Sequence, residues 1–278
     1  MKTRKTIVPL TPSGGETKDR LKAFINERGL NYLFHLYQGT EITTLAYEDT
    51  ENFTDFSRMF DHSQKLISAP RINTSNATNM SGMFYYCPYM TDIQKFDTSS
   101  VTNMSYMFAE CSSLKTIPQL DTSNVANMAS MFSGCRKLDS IPQLDTSSVT
   151  SMNRMFYDCS SLETIPQLDT SKVTDMSYMF CGCSSLISVP PLDASNVTNL
   201  NYIFANSCRQ LKSILMYGMK VSFLISLSTQ FEESDLVTIL NNLATVTSTQ
   251  TLTMGSTNLA KLTDEEKAIA TNKGWTLK

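Results

Sequence analysis

The dipeptide Met-Phe recurs at intervals of 24 residues through the middle of this 278-residue chain. The copies are Met59-Phe60, Met83-Phe84, Met107-Phe108, Met131-Phe132, Met155-Phe156 and Met179-Phe180, and the series closes with Ile203-Phe204. Self-similarity at a fixed period of roughly 20 to 50 residues is typical of repeat proteins, in which each unit stacks on its neighbours. The period therefore predicts a solenoid before any single element is assigned.

Seven such units span residues 49–216, and each splits into two halves. Five apolar positions recur at steps of three and four, which predicts one face of a short helix or 3₁₀ turn. In the unit 97–120 they are Val101, Met104, Met107, Phe108 and Cys111. The segment from Leu114 to Ile117 then predicts a single short strand, which we expect to end at Pro118 because proline cannot donate to a strand ladder.

A unit of this size buries its apolar stripe only by stacking, and strands about 4.8 Å apart give a ladder of roughly 35 Å for seven units. Caps are expected at both ends, since an open array exposes core and strand edge. We assign residues 17–48 to an N-terminal helical cap and 217–278 to a C-terminal α/β cap, with helix 234–243, strand 251–254 and a capping box at Thr263–Glu266. Residues 1–16 are expected to be a flexible tail or docking segment. The predicted fold is an α/β repeat solenoid, a capped leucine-rich-repeat array with one short strand and one short helical turn per unit.

Composition excludes two classes of partner. The net charge of −3 leaves no basic excess to neutralise phosphates, so we expect no nucleic acid partner. No apolar run is long enough to span a bilayer, so we expect no membrane insertion. At the N-terminus the apolar part is only Ile7 to Leu10, shorter than the roughly 7–15 residues of a signal peptide, and no Sec signal is recognisable.

One cysteine per unit recurs inside the apolar stripe. The series is Cys87, Cys111, Cys135, Cys159 and Cys183, followed by Cys208, with Cys181 outside the register. Metal sites use closely spaced cysteine pairs, which one thiol per turn does not supply. We expect buried free thiols that behave as small apolar side chains, with disulfides or metal binding as the alternatives.

An aspartate or asparagine opens every unit. The column is Asp49, Asn73, Asp97, Asp121, Asp145, Asp169 and Asp193. Stacked carboxylates bind calcium in glycine-rich nonapeptide repeats, but this unit lacks those glycines. Asp followed by Thr-Ser is typical of an Asx turn or N-cap, which we expect here, with the closely spaced charges raising the pKa of some of these carboxyl groups. No metal or other cofactor is predicted.

Two features bear on activity. The chain has only two histidines, His35 and His62, both near the N-terminal cap, and no Ser-His-Asp or Cys-His constellation can be assembled within the repeats. We therefore expect no catalytic residues and no enzyme.

Two columns vary freely between units, whereas the Met, Phe, Leu and Ile columns barely change. The first lies within the predicted strand and reads Ile67, Thr91, Lys115, Asp139, Glu163, Ile187 and Lys212. The second precedes Met-Phe and reads Arg58, Gly82, Tyr106, Ser130, Arg154, Tyr178 and Tyr202. Exposed tyrosines stack on sugars or anchor protein partners. We expect Lys115, Asp139, Glu163, Lys212, Tyr106, Tyr178 and Tyr202 to form the binding surface; the alternative is that both columns are merely solvated.

The unit Asp-Thr-Ser-Asn-Val-x-Asn-Met-x-x-Met-Phe-x-x-Cys-x-x-Leu, as at 121–138, resembles the BspA-like leucine-rich repeats of bacterial surface proteins. The similarity covers 49–216, and Thr253 to Lys278 resembles, more faintly, the ends of such proteins in gut bacteria and their phages. The resemblance implies a right-handed leucine-rich-repeat solenoid, adhesion to host proteins, cells or surface glycans, and no catalytic residues.

Family members on the cell surface need an export signal and an anchor, and this sequence shows neither. We therefore expect a phage virion component, a tail or head decoration protein for recognition or attachment, which contacts a protein or surface glycan and other virion proteins. The alternatives are a bacterial cell-surface adhesin that binds host proteins or glycans, and a purely structural part of a particle. The expected location is the virion for a phage-encoded protein and the cell surface otherwise.

Overall fold

The computed structural model describes residues 50, 52–69 and 71–278. The predicted tail (1–16) and N-terminal cap (17–48) lie outside the described residues. Within the repeats, each 24-residue coil lies on the next and is joined to it by parallel backbone bridges. One bridge position runs unbroken through Asp55, Asn79, Asn103, Asn127, Ser151, Asp175 and Asn199. The chain is therefore a repeat solenoid, as the period predicts.

The Met-Phe segment of each coil is a series of tight turns. The prediction of a helix or 3₁₀ turn there is wrong, since neither occurs in the described residues between 52 and 216. The reason lies in alternating amide partners: Met107 N donates to Met104 O in its own coil at 3.2 Å, whereas Phe108 N donates to Met131 O in the next coil at 3.0 Å. A helix requires each amide to bond within its own segment, so bonds between coils exclude it. The apolar spacing of three and four residues nevertheless identifies correctly which side chains of this segment are buried.

Regular strands occur in only two of the described coils, as β1 (Ser188–Asp193) and β2 (Ser213–Tyr217), which pair in parallel. The expectation of one strand per unit is therefore wrong for the described repeats. It is also wrong that proline ends the strand, because β1 continues through Pro190 and Pro191, with an irregular register between Val189 and Leu192.

Glutamine side chains take over where proline interrupts the ladder. In three coils a proline, which has no N–H to donate, is followed directly by a glutamine. Gln119 Nε2 donates to the backbone oxygen of Gln143 at 2.7 Å, and Gln143 Nε2 donates to that of Gln167 at 2.6 Å. Adjacent coils are thus joined at these positions by side-chain carboxamides, beside prolines that have no amide to donate.

The C-terminal part alternates strands and helices in a parallel arrangement. Its elements are β3 (Phe223–Leu224), α1 (Glu233–Asn242), β4 (Gln250–Thr253), α2 (Ser256–Leu259), α3 (Asp264–Thr271) and β5 (Trp275–Leu277). The sheet order is β3-β4-β5, so α1 and then α2 with α3 form the crossovers that parallel strands require. The predicted capping box is confirmed, since Thr263 accepts from Glu266 N and the Glu266 carboxylate accepts from Thr263 N. The buried Trp275 donates from Nε1 to Ala244 O at 2.8 Å.

The core of the repeats is a set of side-chain columns, and a stack of phenylalanine rings runs through it. The stack comprises Phe60, Phe84, Phe108, Phe132, Phe156, Phe180 and Phe204, with centroids of neighbouring rings 5.2 to 5.9 Å apart. All of these rings are buried, and the planes of neighbouring rings are nearly parallel, as in offset stacking. None of the helices in the described part of the chain is long and apolar enough to cross a bilayer.

Candidate functional site

The column that precedes Met-Phe, which we call the turn row, occupies a strained backbone position. Its members are Arg58, Gly82, Tyr106, Ser130, Arg154, Tyr178 and Tyr202, with φ between 53° and 61° in every coil. Met107 N donates to Met104 O, which places Tyr106 at the third position of a β-turn, and its φ of 58° is typical of the turn types that favour glycine there. Glycine adopts this conformation freely, whereas other residues are strained by about 1–2 kcal/mol.

Two of the three predicted tyrosines are brought together. The rings of Tyr178 and Tyr202 stack with centroids 5.0 Å apart and an interplanar angle of 24°. The guanidinium carbon of Arg154 lies 4.6 Å from the centroid of Tyr178, so cation and rings form one three-layer stack. The structure keeps Tyr106 apart from this cluster, in edge contact with Tyr85. Between them lies Ser130, which is buried, so the turn row is not uniformly exposed.

The rings of the turn-row tyrosines contact side chains of neighbouring coils, but their hydroxyl groups are not used in the fold. Tyr106 and Tyr202 are 46% and 51% exposed. The hydroxyl groups of Tyr106, Tyr178 and Tyr202 form no hydrogen bond with another residue of the described chain. Nearby, the carboxylate of Asp158 raises the pKa of Tyr157, with a smaller contribution from burial, while Arg154 opposes this effect. Because the hydroxyl groups of Tyr106, Tyr178 and Tyr202 form no hydrogen bond within the described chain, they are available to a ligand.

The second predicted column, which we call the strand row, is exposed in every described coil. Its members are Ile67, Thr91, Lys115, Asp139, Glu163, Ile187 and Lys212. Neighbours are joined through the backbone, since Asp139 N donates to Lys115 O at 2.9 Å and Lys212 N to Ile187 O at 2.8 Å. No ion pair joins the side chains of Lys115, Asp139, Glu163 or Lys212 to other residues within the described ranges. The row is a solvated strip of mixed charge, separate from the turn row.

In the described coils, from Asn73 to Asp193, the aspartate column forms Asx turns, as predicted, whereas Asp49 lies outside the described residues. In Asp121 and Asp145 the Oδ1 atom accepts from the amide and the hydroxyl of the serine two residues later, with Oγ–Oδ1 distances of 2.7 Å. The expectation of raised pKa values is wrong where a shift occurs: serine hydrogen bonds lower the pKa of Asp121, Asp145 and Asp169 and outweigh repulsion between the carboxylates. No group of three or more metal-binding side chains lies within reach of one ion among the described residues.

A shallow groove of about 1100 Å³ runs along this column over four coils. It is lined by Asp97, Asp121, Asp145 and Asp169 with the adjoining threonines and serines, and by Gln119, Gln143 and Gln167. The serine hydroxyls and glutamine amides already donate to Asp carboxylates and backbone oxygens. The groove therefore presents mainly acceptors, and its serine hydroxyls and glutamine amides have structural partners, whereas the buried hydroxyls of Thr98 and Thr122 have no hydrogen-bond partner in the described part of the chain.

All seven cysteines are free and buried, which confirms the expected free thiols. Each regular cysteine donates from Sγ to a phenylalanine oxygen of the preceding coil, as in Cys111 to Phe84 and Cys135 to Phe108 at 3.1 Å. Burial raises the pKa of Cys87 to about 12 and that of Cys208 to about 12, so the thiols stay protonated and unreactive. The cysteine column belongs to the core.

Residue-by-residue comparison of the units missed the second aromatic column, which directly follows Met-Phe. It contributes Tyr85 beside His62 and Tyr106, and Tyr157 beside Tyr178. The same alignment held the signal, because this column reads Asp61, Tyr85, Ala109, Ser133, Tyr157, Cys181 and Ala205 and varies as freely as the turn row. The stacking of Arg154 on Tyr178 was not predictable, since it depends on side-chain rotamers. His62 pairs with Asp61.

A comparison with curated proteins finds no match to this chain. Among solved structures, it is similar to a leucine-rich repeat protein from Bacteroides ovatus, with 12% sequence identity and a TM-score of 0.26. That alignment covers 80% of this chain and 86% of the other. At this level of similarity, the fold assignment rests on the hydrogen bonds between the coils.

One family profile matches the chain three times, over residues 29–140, 115–217 and 139–243. The matches overlap, as expected when a profile built on repeats meets a longer array in several registers. They support the resemblance to BspA-like repeat proteins and extend over more than half of the sequence. The chain belongs to the family of repeat proteins described as Mycoplasma protein of unknown function, DUF285.

Proposed function

We propose that this protein is a non-catalytic recognition protein that binds a protein or a surface glycan through the tyrosines of its turn row. The contact residues in this proposal are Tyr106, Tyr178 and Tyr202, with Lys115, Asp139, Glu163 and Lys212 of the strand row as a second, charged strip. No step of chemistry is assigned to any residue.

One observation carries the proposal. Three tyrosines occupy left-handed positions that glycine would fill without strain, yet their rings are exposed or half-buried and their hydroxyls are unused within the described chain. Gly82 occupies the same position in another coil, which is direct support that the turn accepts glycine. Residues kept in a strained backbone conformation are typical of functional sites.

Binding to intact cells tests the proposal. The labelled protein is compared with a variant that carries alanine at Tyr106, Tyr178 and Tyr202, and with a variant in which Lys115, Asp139, Glu163 and Lys212 are alanine. The control is Thr102→Ala/Thr150→Ala, at exposed positions outside both rows. We expect the tyrosine variant to lose binding, the strand-row variant to bind more weakly than wild type, and the control to bind like wild type. Unchanged cell binding by the tyrosine variant would refute the role of the turn row.

For the setting of this activity we propose a phage virion, where the protein would act as a tail or head decoration component. The faint resemblance of Thr253 to Lys278 to the ends of repeat proteins in gut bacteria and their phages is compatible with this setting. Mass spectrometry of purified particles and of a washed cell envelope separates the possibilities. A fixed stoichiometry in particles supports the virion, whereas presence only in the envelope supports a bacterial adhesin. Presence in particles without any binding to cells by the isolated protein would indicate a purely structural part.

A further inference from the structure

We propose that the groove along the aspartate column binds a linear polyamine, a chain of protonated amines joined by short methylene spacers. The site comprises Asp97, Asp121, Asp145 and Asp169, on four successive coils. In the described coils the residues of the turn row and the strand row do not line this groove. The site is therefore separate from the surface of the proposed function.

The four carboxylates form a line of negative charge with little compensation. All four side chains are exposed, and hydrogen bonds from serine lower the pKa of Asp121, Asp145 and Asp169. Within the described ranges no ion pair joins them to a cation. The neighbouring lysines lie at the two ends: Lys95 lines the groove at its first coil, and Lys172 acts on Asp169 at its last coil. The central pair, Asp121 and Asp145, is left without a cation.

The groove offers acceptors, while its serine and glutamine donors are already used. In Asp121 and Asp145 the Oδ1 atom accepts from serine, whereas Oδ2 accepts no hydrogen bond within the described chain. The glutamine amides donate to backbone oxygens, as Gln119 does to Leu120 and Gln143. A ligand that fits must bring donors and need no acceptors in return. Protonated amines have this property, since an ammonium group has three donors and no acceptor.

Two buried hydroxyl groups in the lining add to this demand for donors. Thr98 and Thr122 line the groove and are each 2% exposed, and their Oγ1 atoms have no hydrogen-bond partner in the part of the chain that the structure describes. The equivalent hydroxyl of Thr146, by contrast, donates to the backbone oxygen of Asp169 at 2.8 Å. A buried hydroxyl without a partner is unfavourable, and it can accept from a ligand as well as donate.

Spacing and the apolar lining suit the methylene chain of a polyamine. Adjacent coils lie about 4.8 Å apart, as paired strands do. Two amines joined by three methylene groups are about 5 Å apart when extended. Each of the first three aspartates directly follows an apolar residue that lines the groove, namely Phe96, Leu120 and Leu144. Amines and spacers of the ligand therefore meet carboxylates and apolar side chains in the same alternation.

Metal ions and basic peptides fit this groove less well. No group of three or more metal-binding side chains lies within reach of one ion among the described residues. A peptide brings a carbonyl acceptor with every residue, and the serine and glutamine donors of the groove are already used. Side chains on one face of an extended peptide also recur at about 6.7 Å, a longer interval than the spacing of the coils.

The test is isothermal titration calorimetry of the purified full-length protein at low ionic strength, where exposed charges are least screened. The probes are spermine, N-acetyl-tetralysine amide, which carries the same four charges on a peptide backbone, and Ca²⁺. We expect spermine to bind at one site per chain, and the peptide and Ca²⁺ to bind at least about fivefold more weakly.

Two variants of matched charge locate the site. Asp121→Asn/Asp145→Asn should weaken spermine binding about fivefold or more. Asparagine keeps the turn, because Asn73 Oδ1 accepts from Ser75 N at 3.0 Å in the same column. The control Asp139→Asn/Glu163→Gln removes the same charge from the same two coils outside the groove and should stay within about twofold of wild type.

Three outcomes would overturn the inference. The first is the absence of saturable spermine binding, and the second is an equal loss in both variants, which would show unspecific attraction to an acidic protein. The third is binding of the peptide or of Ca²⁺ as tight as that of spermine, which would make one of them the occupant. Because the site is separate from the turn row, alanine at Tyr106, Tyr178 and Tyr202 should leave spermine binding unchanged, whatever its effect on cell binding.

Discussion

The thiol of Cys135 donates a hydrogen bond to the carbonyl oxygen of Phe108, 27 residues earlier, with an Sγ–O distance of 3.1 Å. The same relationship links Cys111 to Phe84 and Cys159 to Phe132. The cysteine column thus occupies a fully buried site between coils and satisfies a backbone acceptor there.

Thiol reactivity should report folding. Because all seven cysteines are buried, we expect Ellman's reagent to label the native protein only slowly at pH 8 and to label all seven thiols in urea. Fast labelling of a native thiol of the cysteine column at the rate of a free peptide thiol would contradict this packing.

The same thiols should make stability fall at high pH. Burial raises the folded pKa of Cys87 and Cys208 to about 12, above the unfolded value of about 8.5. Their contribution is therefore complete below about pH 8.5 and is lost as pH rises toward 12, because only the unfolded chain ionises in this range. Urea unfolding should show a lower midpoint at pH 10 than at pH 8. A Cys87→Ala/Cys208→Ala variant should show a smaller decrease, and an equal one would count against this origin.

Ring truncation should cost most in the middle of the phenylalanine stack. Phe132 has two stacked neighbours, Phe108 at 5.9 Å and Phe156 at 5.8 Å, whereas the terminal ring of Phe204 stacks on Phe180 alone. We expect Phe132→Ala to lower the free energy of unfolding by about 3–5 kcal/mol. Phe204→Ala should cost about 1 kcal/mol less, because one aromatic pair fewer is lost. Equal losses in chemical denaturation would show that stacking adds nothing to burial.

The sequence predicts the solenoid and its core well, because the 24-residue period and the spacing of the apolar residues recur in every unit. The columns of Met107, Phe108 and Leu114 are buried as their invariance between units suggests. Local backbone conformation was harder: spacing of three and four fits both a helix and successive turns, and only the bonds between coils decide between them. Pro118 indicates that a backbone N–H donor is missing, but the sequence does not reveal that the side chain of Gln119 donates to the next coil.

From the sequence, the candidate site could be predicted only as two columns of variable residues, and not as a cluster of side chains in contact. Variation between units identifies the turn row and the strand row, but it does not reveal that Tyr178 stacks on Tyr202 or that Ser130 is buried. The left-handed backbone was also hidden, since six of the seven residues in the turn row are not glycine. Strain at these positions follows from tertiary bonds between coils.

The strain at Tyr106 can be measured by comparing two truncations. Tyr106→Gly and Tyr106→Ala both remove the ring, but only glycine adopts φ near 58° without cost. We expect the glycine variant to be more stable by about 1 kcal/mol in urea unfolding. The control pair is Thr102→Gly and Thr102→Ala, at an exposed position without left-handed backbone, where glycine should be the less stable. The same order at both positions would contradict the strained turn.

The Asx turns should add acid sensitivity. Serine hydrogen bonds lower the folded pKa of Asp121 and Asp145, so their contribution is present above the unfolded pKa of about 3.9 and is lost as pH falls below it. The double variant Ser123→Ala/Ser147→Ala should therefore lose less stability than wild type between pH 6 and pH 3. The control Ser100→Ala/Ser148→Ala, which spares these bonds, should behave like wild type. An unchanged pH dependence in the first variant would contradict the assignment.

The central claim is that the tyrosines of the turn row serve binding and not folding. The most direct measurement combines melting temperature and cell binding on one variant in which Tyr106, Tyr178 and Tyr202 are glycine. We predict that its melting temperature stays close to that of wild type, because the relief of backbone strain offsets the lost ring contacts, while cell binding is lost. A lower melting temperature together with retained binding would contradict the claim and make the tyrosines structural.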